Sequence, residues 1–274
     1  MRRLLNIAVA TLVIAIAALA LLVRWIEPRF AFYPTPGETE TPRDYGMTYE
    51  ALDIVTPGGG RLRAWIMRAP NQRARVVYFH GNGGNLSNWA PILAGLVRHG
   101  YSVLAFDYRG YGLSTGRPTE RGLYRDIGAV LDRAWRDLPA GAPTVYWGRS
   151  LGGAMAAYAA TVRAPDGIIV EAGFPDARAA VRDSTSLLIL SLFSTYRFPT
   201  AEFTNRANRP VLVMHGNRDS VIPFALGQEL FDKLSVPKQF FVIEGGDHND
   251  GVPREVEAYW TAIDRFVASL PKSG

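Results

Sequence analysis

Ser150 lies in Gly148-Arg149-Ser150-Leu151-Gly152, after the β-rich apolar run Thr144 to Trp147 and before the Ala-rich helical run Ala154 to Ala160. A serine on a sharp strand-to-helix turn, flanked by residues small enough for the two elements to approach closely, presents its hydroxyl as a nucleophile. The five-residue string alone says little, since chance supplies about 0.1 of them in a chain of this composition. Its setting between strand and helix gives it weight. A serine hydroxyl attacks an acyl carbon only when an imidazole takes its proton and a carboxylate holds the imidazole's tautomer. The same chain must therefore supply a histidine and an acid.

The chain has four histidines, so elimination is feasible. His99 closes a helix away from the strand ends, and His80 opens a loop dominated by glycine and amide residues. His215 ends a strand, where a packed ring bonded to backbone is the favoured reading. His248 follows the final strand in a Gly-rich loop able to swing a ring over the sheet edge, and is the candidate base. Asp219 is the candidate acid, with capping of the helix near Pro223 as its plain alternative. Glu171, at the end of another strand, is the rival acid, whereas Asp247 and Asp250 lie too close in sequence to His248 to orient it easily. The order Ser150, Asp219, His248 matches one known triad arrangement and not the others. Attack creates an oxyanion that needs fixed donors. The N–H of Leu151, at a helix start, and that of Asn82, in Gly81-Asn82-Gly83-Gly84, are the candidates; a phosphate cradle is the alternative for that loop, but no Gly-Lys-Ser/Thr follows it. No paired histidine spacing points to a metal.

These residues need a sheet whose strand ends meet. Strands are expected at Met47–Val55 and Leu62–Met67 as an antiparallel opening pair, then at Arg75–Phe79, Ser102–Phe106, Thr144–Gly148, Gly167–Val170, Pro210–Met214 and Gln239–Ile243. Helical periodicity runs from Trp89 to Val97, Leu123 to Leu138, after Ser150, from Phe224 to Leu234 and from Glu255 to Leu270. Alternation of this kind predicts an α/β fold, a mostly parallel sheet between two helix layers. In such sheets reactive groups collect beyond the carboxyl ends of the strands, where all the candidates above lie.

The chain of 274 residues is 48% hydrophobic and 20% charged, enough for one catalytic domain with an appendage. Its net charge of +5 comes from scattered arginines, with lysine only at positions 233, 238 and 272, which argues against a nucleic-acid partner. The absence of cysteine excludes disulfides, thiolate metal sites and a cysteine nucleophile. Leu4 to Val23 is interrupted only by Asn6 and Thr11 and is long enough to cross a bilayer. An uncleaved single-pass anchor over residues 1–26 is favoured over a signal peptide, although Ala18-Leu19-Ala20 offers a small-x-small site. Flanking cations weakly favour an internal amino terminus and an external catalytic domain. Residues 27–45, with Pro28, Pro34, Pro36 and Pro42, read as a linker or a wrapping extension. Residues 46–274 form the catalytic domain, with 171–209 as a small cap whose apolar run Leu187 to Phe193 could line an acyl pocket, touch the bilayer or bury one face as an ordinary helix.

The chain resembles the α/β-hydrolase superfamily, and more narrowly its membrane-anchored abhydrolase-domain serine hydrolases. The resemblance spans Met47 to Ser269 and rests on His80-Gly81-Asn82-Gly83-Gly84-Asn85, Asp107-Tyr108-Arg109-Gly110-Tyr111-Gly112-Leu113-Ser114, Gly148 to Gly153, Glu171 with Phe174, His215-Gly216 with Asp219, and Gly246-Asp247-His248-Asn249. It implies a triad of Ser150, Asp219 and His248, an oxyanion hole of Asn82 and Leu151, and a bracing role for Asp107 to Gly110. It also implies ester or thioester hydrolysis through an acyl-enzyme without a cofactor, on a small-molecule or lipid-like acyl substrate. The chain departs from the depalmitoylases of that group in having a hydrophobic span in place of a cysteine-rich amino terminus, which argues against protein depalmitoylation. A serine peptidase of oligopeptidase type and a non-catalytic binding scaffold are the competing readings. The first usually carries an extra large domain, and the second would not need every chemical group kept.

Overall fold

Eight strands form one sheet whose order from edge to edge is Lys238–Ile243, Val211–Gly216, Gly167–Glu171, Thr144–Arg149, Ala74–Phe79, Tyr101–Phe106, Arg61–Met67 and Glu50–Val55. The computed structural model describes residues 1–182, 194–250 and 256–271. Helix α1 (Arg2–Ala31) and the short β1 (Tyr33–Pro34) precede β2 (Glu50–Val55) and β3 (Arg61–Met67). Then come β4 (Ala74–Phe79), the two-residue β5 (Gly83–Gly84), α2 (Leu86–Arg98), β6 (Tyr101–Phe106) and α3 (Glu120–Asp137). The series β7 (Thr144–Arg149), α4 (Leu151–Val162), β8 (Gly167–Glu171) and α5 (Ala177–Val181) leads to α6 (Thr200–Ala207). Strand β9 (Val211–Gly216), α7 (Phe224–Lys233), β10 (Lys238–Ile243) and α8 (Val256–Ser269) close the described chain.

Strand β2 runs antiparallel to β3, and β3 antiparallel to β6; the remaining pairs are parallel. The expected opening hairpin and parallel body are both present. Strands β4, β6, β7, β8 and β9 are buried along their whole length, as strands covered on both faces must be. On one face Val77, Phe79, Tyr146 and Val170 pack with α3, α4 and α7 residues such as Ile127, Met155 and Leu230. On the other, Val76, Tyr78, Trp147 and Ile169 pack with Leu93 of α2 and Ile263 and Phe266 of α8. Helix α6 is an addition to the expected elements. It docks on α3 and α4 through the ring cluster of Tyr124, Tyr158 and Phe203, the first two stacked at 4.0 Å.

Helix α1 is long and apolar enough to cross a membrane over Arg2–Arg29, and nearly all of that span is exposed. It continues past the expected boundary at residue 26 as far as Ala31. Val23 and Glu27, one turn apart, are buried. The following residues do not form a free tether. Tyr33 and Thr35 donate backbone N–H groups to the carbonyls of Asn82 and Gly84 at 2.9 Å each, making β1 a parallel partner of β5. Glu38 accepts from Arg63 and from the Trp65 indole N–H at 3.1 Å, and Ser87 Oγ accepts from Thr39 N and Glu40 N. Proline removes N–H donors only at its own positions, so a Pro-rich stretch can still be tied down through the residues between its prolines. Of the expected cap, α5, α6 and residues 194–199 are described; Leu187 to Phe193 lies outside the described residues. Glu27 binds the returning limb of that cap, accepting from Ser194 Oγ and, at 3.0 Å each, from Thr195 N and Tyr196 N.

Candidate active site

The turn between β7 and α4 is built on missing side chains. Added Cβ atoms at Gly148 and Gly152 would come within 1.9 Å of the carbonyl oxygens of Gly152 and Phe79 respectively. Strand and helix therefore meet at a distance open only to glycine. Between them Ser150 takes φ 55° and ψ −123°, a conformation that costs a non-glycine residue about 1–3 kcal/mol and persists where surrounding structure enforces it. The enforcing contacts are on its backbone: Ser150 N donates to Glu171 O at 2.8 Å, and Ser150 O accepts from Gly153 N at 2.9 Å. Leu151 opens α4, where the first N–H groups have no intrahelical acceptor.

His248 and Asp219 come from the loops after β10 and β9. Those loops touch where Gly216 leaves room, since a Cβ there would lie 2.3 Å from Gly246 O. His248 Nδ1 donates to Asp219 Oδ2 at 2.7 Å. The other carboxylate oxygen accepts from Val221 N at 2.9 Å and Ile222 N at 2.7 Å. Burial by itself would raise the Asp219 pKa, but hydrogen bonds from His215 and His248 outweigh it and hold the carboxyl well below its ordinary value. His215 Nε2 lies 3.3 Å from Asp219 Oδ2 and 2.9 Å from Ile222 O, so it carries a proton shared toward two acceptors. This fully buried ring supports the acid and is bonded to backbone.

Glu171 is turned away from His248. Its Oε2 accepts from Trp147 Nε1 and Tyr259 OH, both at 3.1 Å, and its Oε1 faces the Arg149 guanidinium at 3.8 Å. His80 is completely buried, and burial pushes its pKa down to about 4, although the bond from its Nδ1 to Gly81 O acts in the opposite direction. His99 stacks on Trp260 with ring centroids 3.6 Å apart.

The loop after β4 carries Asn82. Its carbonyl accepts from Tyr33 N at 2.9 Å and Tyr111 OH at 2.8 Å, and Tyr108 OH donates to His80 O at 2.9 Å. Asp107 Oδ1 accepts from Leu86 N at 2.8 Å, and Asn85 caps α2 through Ser87 N at 2.9 Å. Arg109 is held in turn by a two-point contact to Asp126. The Asp107 to Tyr111 segment thus braces the Asn82 loop. A cavity of about 350 Å³ is lined by Asn82, Trp89, Arg149, Ser150, His248 and neighbouring residues. Among the described residues no group of three or more His, Cys, Asp or Glu side chains is gathered to hold a metal. Such a cavity can take a small acyl compound beside a hydroxyl, an imidazole with its carboxylate, and the start of a helix.

Sequence reasoning missed the part played by Arg149 and the strand β1 within residues 27–45. The partners of Arg149 include the carbonyls of His248 and Asp250, and those of β1 are backbone groups of β5. Backbone partners leave no trace in residue types.

Residues 74–168 match the model of a family described as the alpha/beta hydrolase fold. The uncharacterized membrane protein YNL320W of Saccharomyces cerevisiae is 30% identical over 241 residues, covering 83% of this chain and 82% of its own. The human alpha/beta hydrolase domain-containing protein 17B is 29% identical over 225 residues, covering 79% and 73% of the two chains. Among solved structures, the Pyrococcus furiosus esterase Pf2001 superposes with a TM-score of 0.70 at 20% identity, covering 86% of this chain and 97% of that one.

Proposed function

Because the chain belongs to the α/β-hydrolase family, we propose that it is a serine hydrolase cleaving carboxylic ester or thioester bonds of lipid-like acyl substrates. Ser150 Oγ attacks the acyl carbon while His248 takes its proton. The N–H groups of Leu151 and Asn82 receive the oxyanion. His248 then protonates the departing alcohol or thiol, leaving an acyl-enzyme on Ser150. Water, deprotonated by the same ring, releases the acid. Asp219 keeps the imidazole in the tautomer with its proton on Nδ1 and stabilises the imidazolium formed in each step.

The observation that carries this reading is a positive-φ serine and a carboxylate-bound imidazole lining the same cavity. The esterase name of the Pyrococcus furiosus neighbour is in keeping with it. Helix α1 is read as a single-pass anchor, with the domain on the external face. The membrane-protein name of the yeast relative and the length and apolar character of α1 support the anchor.

A fluorophosphonate probe tests the nucleophile. Wild type should label and Ser150→Ala should not; equal labelling of the two overturns the assignment. A panel of acyl esters of graded chain length, with and without liposomes, tests the substrate class. Turnover confined to short soluble esters and indifferent to liposomes removes the lipid-like reading.

A further inference from the structure

His248 sits in an irregular loop that follows Gly245 and Gly246, and base catalysis needs its ring fixed to within a fraction of an ångström. Asp219 holds the ring at Nδ1. Asp247 Oδ1 accepts the His248 N–H at 2.7 Å and is itself bonded to Ser220. The third point of attachment is the carbonyl oxygen, which accepts from Arg149 Nη2 at 2.6 Å, and the same nitrogen reaches Asp250 O at 2.9 Å.

We propose that Arg149 is a positioning residue for the acid–base step: one buried guanidinium ties the loop carrying His248 to the strand end that carries Ser150. Arg149 is the last residue of β7 and the immediate neighbour of the nucleophile, so the clamp spans the two halves of the site directly. Its side chain is 8% exposed, and a buried cation needs compensation. Glu171 provides it from 3.8 Å, held by Trp147 and Tyr259, while the Trp89 ring lies 5.7 Å from the guanidinium carbon. The acid that rivals Asp219 in the sequence thus acts as the counter-charge of the clamp. A planar guanidinium suits this position, with donors in a fixed fork that can serve carbonyls on one side and a carboxylate on the other.

The inference rests on the serine-hydrolase reading, and the test separates the two. Arg149→Met, Arg149→Lys and the double variant Arg149→Met/Glu171→Gln are made in the full chain. Active sites are counted by saturating fluorophosphonate labelling, and kcat and KM for an acyl ester are expressed per labelled site. Arg149→Met should lose about 10- to 100-fold in kcat with KM within about twofold of wild type. Arg149→Lys, able to reach one carbonyl as a point charge, should fall between. The double variant removes the buried charge left by the single change and should recover thermal stability while kcat stays low. Recovery of wild-type kcat in the double variant, or a loss confined to the number of labelled sites, overturns the positioning role. Labelling of Ser150→Ala equal to wild type would instead overturn the nucleophile reading beneath it.

Discussion

The two halves of the site are held by opposite means. The serine half is steric: Gly148 and Gly152 bring strand and helix together where no Cβ fits, and the backbone of Ser150 is forced to positive φ. The acid–base half is polar: Asp219 is fixed by Val221 N, Ile222 N and His215, and His248 by Asp219, Asp247 and Arg149. A steric fixture fails when an atom is added, because close-packed backbone has nowhere to move. A polar fixture fails when a donor or acceptor is lost, and the protein can keep its fold while the ring wanders. The first kind of damage should therefore appear as lost protein and the second as lost rate.

The sharpest test sets Gly148→Ala against His248→Ala. Gly148→Ala is expected to lose more than about 4 kcal/mol of stability or not to accumulate as folded protein, as thermal melts and soluble yield would show. His248→Ala should melt near wild type while kcat falls by about 10⁴-fold or more. A stable Gly148→Ala, or an unfolded His248→Ala, would break the contrast. Next in size is the choice of acid. Asp219→Asn keeps an acceptor for Ile222 N but disturbs the tautomer, and should cost about 10⁴-fold in kcat; Glu171→Gln should cost far less. The reverse ranking would move the acid to Glu171.

The smallest effect concerns pH. Burial pushes the Asp107 carboxyl up to about 7 from an ordinary value of 3.8, while the bond from Leu86 N acts against the rise. A raised folded-state pKa means the folded protein binds the extra proton, so this contribution to stability is complete below pH 3.8 and is lost as pH rises through 7. His80, held down to about 4 by burial, has the opposite sign: its contribution is complete above pH 6.5 and is lost as pH falls toward 4. Asp107→Asn retains the acceptor for Leu86 N without the ionisation. Its melting temperature should decline less than that of wild type as pH rises from about 4 to about 7, and parallel curves would show that the fold does not raise the Asp107 pKa.

The steric half was the legible one. Glycine spacing around Ser150, a β-rich run before it and an alanine-rich run after it are consequences of the close approach, so they are written in residue types. The sheet was legible for the same reason, since strands covered on both faces must be apolar throughout. Asp219 and Glu171 could not be separated with equal force because both follow from strand-end position. Their difference lies in which way each carboxylate turns, and Trp147 and Tyr259 decide that for Glu171 from distant parts of the chain. For the segment 27–45 the prolines left linker and wrapping extension both open: they mark broken periodicity, and the bonds of Tyr33 and Thr35 to the loop of Asn82 and to β5 use only peptide groups. Helix α6 escaped because its apolar contacts are spread over Tyr124 and Tyr158 on two other helices.

The β1–β5 pairing also bears on how α1 is joined to the domain. A flexible leash would let the catalytic body swivel above its anchor and sample substrates over a wide arc. Here Glu27 grips the cap limb at Thr195 and Tyr196, and Tyr33 and Thr35 grip the loop of Asn82, all within a few residues of the end of α1. Under the anchored reading proposed above, the mouth of the site stands at one height and one bearing relative to the bilayer. Selection among acyl compounds then begins with how far each one's scissile bond projects from the lipid surface.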